Sequence, residues 1–131
     1  MDDLDELAVR LALHADDDYC YLTTQGRVSG RPHAIEIWFA VDGTMLFMLA
    51  GARERSDWVR NLMADPAVTV RIGDTVYTAT ARAVDAGTPE DARARALVFD
   101  KYSRTNDDLA RWRVEALPVA FAVHDDRTSS T

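Results

Sequence analysis

The apolar residues of this chain recur at a helical spacing near its start and at a strand spacing through much of its length. Positions three and four residues apart lie on one face of a helix, and the first apolar residues have this spacing: Leu4, Leu7, Ala8 and Leu11. Acidic residues fill the first turn of the segment, where the helix dipole favours negative charge. The pattern predicts an amphipathic helix over residues 3–14.

Alternation of apolar and polar side chains is typical of a strand with one buried face. It is clearest over residues 33–41, where the residues that point to one side are Ile35, Ile37, Phe39 and Val41. The dipeptide Asp42-Gly43 then has the composition of a hairpin turn. The six predicted strands cover residues 19–24, 33–41, 44–49, 68–72, 75–84 and 118–123.

Three more helices are predicted from their start and stop signals. Ser56 is a favourable N-cap for a short helix that Asp65-Pro66 ends. Thr88-Pro89 followed by two acidic residues is a strong helix start, and it predicts a helix from Pro89 to Tyr102. A last helical segment is predicted over residues 109–117.

The short connections between the strands imply antiparallel pairing, and six short antiparallel strands cover their edges best by closing into a barrel. The predicted fold is therefore α+β: a six-stranded antiparallel split β-barrel with peripheral helices. A length of 131 residues corresponds to one domain. We expect a single domain over residues 1–131, with an N-terminal helix at 3–14, a barrel core at 19–84, and C-terminal helices and a last strand at 89–124.

Composition and charge narrow the class of partner. A net charge of −7 disfavours nucleic acid and anionic membranes as partners, and no apolar run approaches the roughly 20 residues of a membrane span. The acidic N-terminus differs from the basic start of a signal peptide, and the lone Cys20 allows no internal disulfide. We expect a cytoplasmic protein with no membrane span and no nucleic-acid partner.

The sequence lacks the motifs of several enzyme classes. Its three histidines, His14, His33 and His124, are far apart, and with a single cysteine they give no zinc-site spacing. No serine stands in a nucleophile-elbow motif, and no glycine-rich nucleotide or phosphate loop is present. We therefore expect no metal site, and hydrolase chemistry has little support.

The candidate binding feature is the turn of residues 26–32, which reads Gly-Arg-Val-Ser-Gly-Arg-Pro. A turn bracketed by glycines can present backbone N–H groups to an oxyanion, and Arg27 and Arg31 carry guanidinium forks that fit phosphate or carboxylate. Residues 25–61 hold five arginines against four acids, so this region is locally basic in an acidic chain. Two interpretations stay open from the residues alone: an anion-binding turn, or a hairpin turn with solvated arginines.

Two longer motifs carry a resemblance. The first reads Leu22-Thr23-Thr24-x-Gly26-Arg27-x-Ser29-Gly30-Arg31-Pro32, and the second reads Trp58-x-x-Asn61-Leu62-x-x-x-Pro66-x-Val68-x-Val70. In this order they resemble the deazaflavin-dependent nitroreductase family, which belongs to the flavin-binding split barrels related to pyridoxamine phosphate oxidase. The resemblance covers about residues 19–84. It implies the split-barrel fold, a flavin-type cofactor and a two-fold homodimer.

The resemblance also implies which residues bind the cofactor. Arg27, Ser29 and Arg31 would hold its phosphate or its acidic oligoglutamate tail. The strand that starts at His33 would run beside the tricyclic ring, with backbone groups bonding the polar edge of the ring. The residues implied along this strand are His33, Ile35, Glu36, Ile37 and Trp38.

A loop and a helix complete the implied site. The loop would close over the ring or the phosphate and consists of Ala50, Gly51, Ala52 and Arg53. Trp58 and Asn61, three residues apart on one helix face, would pack under that loop. Tyr102 is the candidate proton donor to the substrate, with packing at a helix end as the alternative role.

The function implied by the resemblance is that of an oxidoreductase. Reduced deazaflavin coenzyme F420 would pass hydride to a small electron-poor acceptor, such as an enone, a quinone or a nitro compound. The cofactor carries this chemistry, and the protein supplies orientation and electrostatics. Because relatives with this fold use other cofactors, two alternatives remain: an FMN-dependent oxidoreductase, and a non-catalytic module that binds a cofactor or a tetrapyrrole.

Overall fold

The computed structural model describes residues 3–102 and 109–124, and it has an α+β fold. The prediction of one domain over residues 1–131 includes residues 1–2, 103–108 and 125–131, which lie outside the described part. The helices are α1 Asp3–Ala12, α2 Asp57–Ala64, α3 Pro89–Tyr102 and α4 Leu109–Glu115, with a short 3-10 turn at Arg53–Arg55. The strands are β1 Cys20–Gln25, β2 Pro32–Ile37, β3 Ala40–Asp42, β4 Met45–Ala50, β5 Ala67–Ile72, β6 Thr75–Ala83 and β7 Leu117–Val123.

The seven described strands form one antiparallel sheet in the order β2-β1-β5-β6-β7-β4-β3. Strands β2 and β3 are consecutive in the chain, yet they lie at opposite edges of this sheet. In a flat sheet of seven strands the two edges would be about 29 Å apart. The chain from Ile37 to Ala40 reaches at most about 11 Å. The sheet therefore has to curl until its edges meet, which makes it a split barrel.

The crossing between β2 and β3 also explains why the predicted number of strands is wrong. The predicted strand of residues 33–41 is divided at Trp38 and Phe39 into β2 and β3, so the described sheet has seven strands instead of six. The alternation itself is confirmed. Phe39 belongs to the barrel core, with Ile35 and Ile37 packed against it, whereas Trp38 packs against a second cluster outside the barrel.

That second cluster lies between the sheet and α3. Phe47 and Leu49 of β4 and Ala120 of β7 contact Ala94 and Val98 of the helix. Strand β7 is therefore buried on both faces over most of its length, as β4 is, and both read as nearly continuous apolar segments. The helices leave the opposite part of the sheet, around β1, β5 and β6, with one face toward solvent.

The predicted helix boundaries hold closely. The N–H of Asp91 donates to the Thr88 hydroxyl at 3.1 Å, which is the capping bond that the sequence predicts for α3. Helix α1 ends at Ala12 instead of residue 14, because the chain tightens there and the His14 N–H donates to the Leu11 carbonyl three residues back. None of the helices in the described part of the chain has the length and apolar character needed to cross a membrane.

The crossing between β2 and β3 is fixed by the last turn of α3. The Phe39 N–H donates to the Tyr102 hydroxyl at 3.1 Å, and that hydroxyl lies 2.8 Å from the Asp18 carbonyl and 3.1 Å from the Phe39 carbonyl. The ammonium of Lys101 donates to the same Phe39 carbonyl at 2.9 Å and lies 3.8 Å from the centroid of the Phe39 ring. The backbone groups that lose their sheet partners at the strand break thus find side-chain partners.

The surroundings of Tyr102 differ from those expected of a proton donor to a substrate. Its side chain is only 5% exposed, and its ring stacks on Trp38 with centroids 4.3 Å apart. Burial raises the pKa of its hydroxyl to about 12. Because the hydroxyl is directed at the backbone of Asp18 and Phe39, it anchors the crossing, and the packing role is the one that the structure supports.

Replacing Tyr102 by Phe tests this anchoring role. Tyr102→Phe keeps the ring under Trp38 but leaves the buried Phe39 N–H without its acceptor, so the free energy of unfolding should fall by about 1–3 kcal/mol. Tyr21→Phe is the matched control, since the Tyr21 hydroxyl donates to Glu36 at an exposed position. Urea denaturation measures both. Equal stability of the two variants would contradict the role given to Tyr102.

A second prediction concerns Lys101, which is the single lysine of the chain. Burial lowers its pKa from 10.5 to about 8. Between these values the unfolded chain binds more protons at this residue than the folded chain does, so stability contributed here rises with pH. Relative to Lys101→Met, the native protein should gain stability as the pH is raised from about 8 to about 10.5. A pH-independent difference in unfolding free energy would contradict this assignment.

Candidate functional site

The turn between β1 and β2 is built on two glycines. The Gly26 N–H donates to the Arg31 carbonyl at 2.8 Å, and the Gly30 N–H donates to the Gly26 carbonyl at 2.9 Å. Gly30 has a φ of 74°, which favours glycine. A Cβ atom on Gly26 would lie 2.8 Å from the Arg31 carbonyl oxygen and 2.7 Å from the Ser29 hydroxyl. The turn is therefore closed so tightly that Gly26 has no room for a side chain, whereas Gly30 has space around it and is favoured by its backbone conformation.

This turn is tied to α2 through Asn61, which is 4% exposed. The Asn61 amide oxygen accepts from the Arg27 backbone N–H at 3.2 Å and from the Arg27 guanidinium at 2.7 Å. Its amide nitrogen donates to the buried Thr24 hydroxyl at 3.2 Å. One side chain of the second motif thus holds strand β1, the turn and the Arg27 guanidinium in fixed relation.

Arg27 also has an ionic partner. Its guanidinium lies 3.3 Å from the carboxylate of Asp57, the first residue of α2. The Asp57 side chain is 85% exposed, so the pair is screened by solvent and contributes little to stability. An incoming phosphate or carboxylate can therefore replace Asp57 as the anion that Arg27 binds.

Most of the residues implied for the phosphate-binding half of the site line one cavity. It has a volume of about 410 Å³, within the usual range for a ligand site of roughly 300–1,000 Å³. Its lining comes from β1, the turn, β2 and α2, and the predicted residues among it are Arg27, Ser29, His33, Ile35, Trp58 and Asn61. Residues that were not among the implied cofactor-binding positions line it too, namely Thr24, Gly26, Val28, Ala34 and Asp57.

The two arginines of the turn have different positions. Arg27 lines the cavity, whereas the exposed Arg31 is not among its lining residues. The Arg31 backbone N–H donates to the Ser29 hydroxyl at 3.1 Å, and this hydroxyl lies 3.5 Å from Nε2 of His33. The turn therefore directs one guanidinium toward the cavity and leaves the other in solvent.

Strand β2 forms the open edge of the sheet beside this cavity. The Gly26–Arg31 hydrogen bond fixes the alternation of the β1–β2 ladder, so His33, Ile35 and Ile37 exchange hydrogen bonds with β1. The N–H and C=O groups of Ala34 and Glu36 consequently point away from β1. Among the described strands β2 pairs only with β1, which leaves these backbone groups as potential partners for a ligand.

A second cavity of about 420 Å³ lies at the end of β2. It is lined by Glu36, Ile37, Trp38, Leu49 and Trp112. The indole rings of Trp38 and Trp112 meet edge to face, with centroids 5.8 Å apart and planes at 88°. We call this space the tryptophan cleft. It joins the end of β2 to β4 and α4, across the opening of the split barrel.

The implied loop of residues 50–53 lies next to the tryptophan cleft. Ala50 is buried at the end of β4, and Gly51 is so close to Trp112 that an added Cβ would be 3.5 Å from the indole. Arg53 has a φ of 53°, a left-handed conformation that is uncommon outside glycine. Its guanidinium donates to the Glu115 carbonyl at 2.8 Å, at the C-terminal end of α4. The loop therefore packs against α4, and Ala52 lies between these two contacts.

Sequence reasoning did not select Trp112, Leu49, Thr24 or Asp57. Leu49 and Trp112 are 63 residues apart in the chain, and nothing local indicates that they meet. Asp57 stands at the first position of α2, where an acid has an ordinary helix-dipole explanation. The sequence did mark the position of Thr24, because this residue belongs to the first motif and lies on the buried side of β1. No group of three or more metal-ligating side chains occurs among the described residues.

The curled antiparallel sheet with its open edge places the protein in the split-barrel class of α+β folds. Residues 8–124 match the model of the family described as F420H(2)-dependent quinone reductase. The chain belongs to this family.

Solved structures of low sequence identity share the fold. One is an F420-H2 dependent reductase, FDR-A, with a TM-score of 0.66 and 23% identity over 82% of this chain and 95% of that one. The heme storage protein HutZ from Vibrio cholerae has a TM-score of 0.68 and 16% identity over 91% of each chain. A pyridoxamine 5'-phosphate oxidase homologue from Listeria innocua has a TM-score of 0.66 and 15% identity over 92% and 94%.

The hydrogen bonds of Asn61 give a prediction for stability. Asn61→Ala removes the partner of the buried Thr24 hydroxyl and of the Arg27 N–H, so the free energy of unfolding should fall by about 1–3 kcal/mol. Ser56→Ala is the control on the same helix, because the Ser56 side chain makes no capping hydrogen bond. Chemical denaturation of both variants measures the difference. A larger loss for Ser56→Ala would contradict the role given to Asn61.

Proposed function

We propose that this protein is a reductase that uses reduced F420 to transfer hydride to a small electron-poor acceptor, an enone, a quinone or a nitro compound. Membership of the F420H2-dependent quinone reductase family supports the cofactor class. The observation that carries the proposal is the arrangement along β2. A cavity with an arginine lies at one end of the strand, a free backbone edge follows, and an aromatic cleft lies at the other end.

The anionic part of the cofactor would bind in the cavity beside the turn. Arg27 is held toward this cavity by Asn61, and the Ser29 hydroxyl and the His33 ring provide further polar contacts. Trp58 adds an apolar wall from α2. Arg31 would act at the rim, since it is exposed to solvent outside the lining. The charge within the cavity comes from Arg27 once the ligand displaces Asp57.

The tricyclic ring would lie along the open edge of β2. The N–H and C=O groups of Ala34 and Glu36 can bond its polar edge, because they point away from β1. A bound deazaflavin supplies hydride transfer, since it has carbon in place of the N5 of flavin. The loop of residues 50–53 and the ring of Trp38 would limit the access of water to this position.

The acceptor would enter through the tryptophan cleft. Ile37, Leu49 and the two indoles give it an apolar lining that suits a flat organic molecule. The described lining of the cleft contains no hydroxyl, imidazole or ammonium group, and Glu36 is the only residue in it that ionises. We assign the proton for a reduced acceptor to solvent.

A direct test combines cofactor binding with turnover. The purified protein should quench F420 fluorescence on binding and should accelerate the oxidation of reduced F420 by a benzoquinone. Arg27→Ala should weaken F420 binding about tenfold or more, because a hydrogen bond to a charged group contributes about 1.5–3 kcal/mol. Arg31→Ala should change it about twofold or less. Equal losses in the two variants would contradict the placement of the anion.

A control variant, a second cofactor and the turnover assay separate the alternatives. Asp57→Asn should strengthen F420 binding about two- to fivefold, since it removes the competing carboxylate of a surface ion pair. FMN titrated in the same assay distinguishes the flavin alternative, which requires tighter binding of FMN than of F420. Binding of F420 without turnover of any of the three acceptor classes would identify a non-catalytic binding module.

Two expectations of the sequence analysis remain predictions. A two-fold homodimer would give twice the chain mass of 14.6 kDa in light scattering. A cytoplasmic location stays an expectation from the single cysteine of the chain, Cys20, which is a buried free thiol.

A further inference from the structure

The two cavities beside β2 differ in their charged groups. Arg27 and its ion-pair partner Asp57 both line the first cavity, whereas Glu36 lines the tryptophan cleft with no basic side chain in the lining. The positions of His33 and Glu36 on β2 are about 10 Å apart, which is close to the screening length of about 8 Å at physiological salt. The two cavities therefore present different charged side chains to a ligand.

Glu36 is well placed to act on a molecule in the cleft. Glu36 and Trp38 are two residues apart along β2 and its extension, so their side chains stand on the same face of the strand. The Tyr21 hydroxyl donates to the Glu36 carboxylate at 3.2 Å, which holds the carboxylate on that face. No basic side chain is among the described residues that line the cleft.

The nearest arginine of the neighbouring loop is engaged elsewhere. The guanidinium of Arg53 donates to the Glu115 carbonyl at 2.8 Å and lies 3.5 Å from the Glu54 carboxylate. It therefore forms no ion pair with Glu36. The guanidinium of Arg71 lies 4.4 Å from the centroid of the Tyr21 ring and donates to the Gly73 carbonyl, so it forms no ion pair with Glu36 either. The net charge of −7 adds a further attraction for cations over the whole molecule.

We propose that the tryptophan cleft is selective for planar aromatic cations and that Glu36 determines this selectivity. One face of the Trp38 indole stacks on Tyr102, so a cation is attracted by the indole surface of Trp38 and Trp112 that still lines the cleft, and the carboxylate of Glu36 pairs with its positive charge. An anionic aromatic of the same size meets repulsion and no compensating donor. The role of such a cation as the hydride acceptor rests on the proposed function, whereas its binding to the cleft does not.

The test uses the full-length protein without cofactor and three bicyclic aromatics of similar size. These are the cation N-methylquinolinium, neutral quinoline and the anion 2-naphthalenesulfonate, each titrated by calorimetry at low salt. The cation should bind about 3- to 30-fold more tightly than the neutral compound, from the combined cation–π and surface ion-pair contributions. The anion should bind more weakly than both. Equal affinity for the cation and the neutral compound would overturn the proposal.

Variants assign the preference to the cleft. Glu36→Gln, which can still accept from Tyr21, should weaken cation binding about two- to fivefold and leave quinoline unchanged. Trp112→Leu should weaken the binding of both. Asp5→Asn is the control that removes one exposed carboxylate on α1, outside the cleft, and it should change neither. A cation preference that survives Glu36→Gln, or that falls equally in Asp5→Asn, would show general attraction to an acidic protein and would overturn the assignment.

The outcome is separable from that of the proposed function. Selective cation binding by a protein that leaves F420 fluorescence unchanged would support the cleft and contradict the F420 proposal. Quenching of F420 with no cation preference would support the cofactor and overturn the charge selectivity.

Discussion

The fold depends on one short crossing, from Ile37 at one edge of the sheet to Ala40 at the other. Two residues span this distance, so the sheet closes only if the chain leaves its ladder at Trp38 and Phe39. Leaving a ladder exposes backbone groups that need new partners in a buried place. Tyr102 and Lys101, at the end of α3, supply those partners at 2.9–3.1 Å. The closed barrel and the docked α3 therefore depend on the same hydrogen bonds.

The crossing also shapes the candidate site. It leaves β2 as an edge strand with backbone groups that point outward, and it places Trp38 on the outer side of the barrel against Tyr102 and Trp112. The interruption of the sheet thus creates both the open edge and the aromatic cleft. At the other end of β2, the Gly26–Arg31 turn is fixed by Asn61. Two cavities with an open strand edge between them, and a fixed element at each end, can orient an extended ligand.

Fold alone does not determine the cofactor, because proteins described as an F420-H2 dependent reductase and as a heme storage protein share this architecture with the chain at 23% and 16% identity. What distinguishes one from another is the side chains along the groove. In this chain the only arginine among the described residues lining the first cavity is Arg27, and it is paired with Asp57 until a stronger anion replaces it. Glu36 gives the second cavity a carboxylate with no basic side chain in the described lining. The electrostatics of the site therefore rest on a few residues.

Local signals in the sequence were sufficient to predict most of the helices and strands. The Thr88-Pro89 start of α3, the stop of α2 at Asp65 and the alternation from Ile35 to Phe39 all appear in the structure as the sequence indicates. Such features depend on neighbours within a few residues, so sequence spacing encodes them. The first motif likewise identified the turn that carries Arg27.

Only the tertiary structure decided how these elements meet. The break at Trp38 follows from closure of a seven-stranded sheet, and no local residue pattern marks it. The turn sends Arg27 inward and Arg31 outward because Asn61, 34 residues away, binds one of them. Tyr102 is an anchor because the strand break brings Phe39, 63 residues away, to its hydroxyl. Long-range contacts of this kind depend on barrel geometry, which periodicity along the chain does not specify.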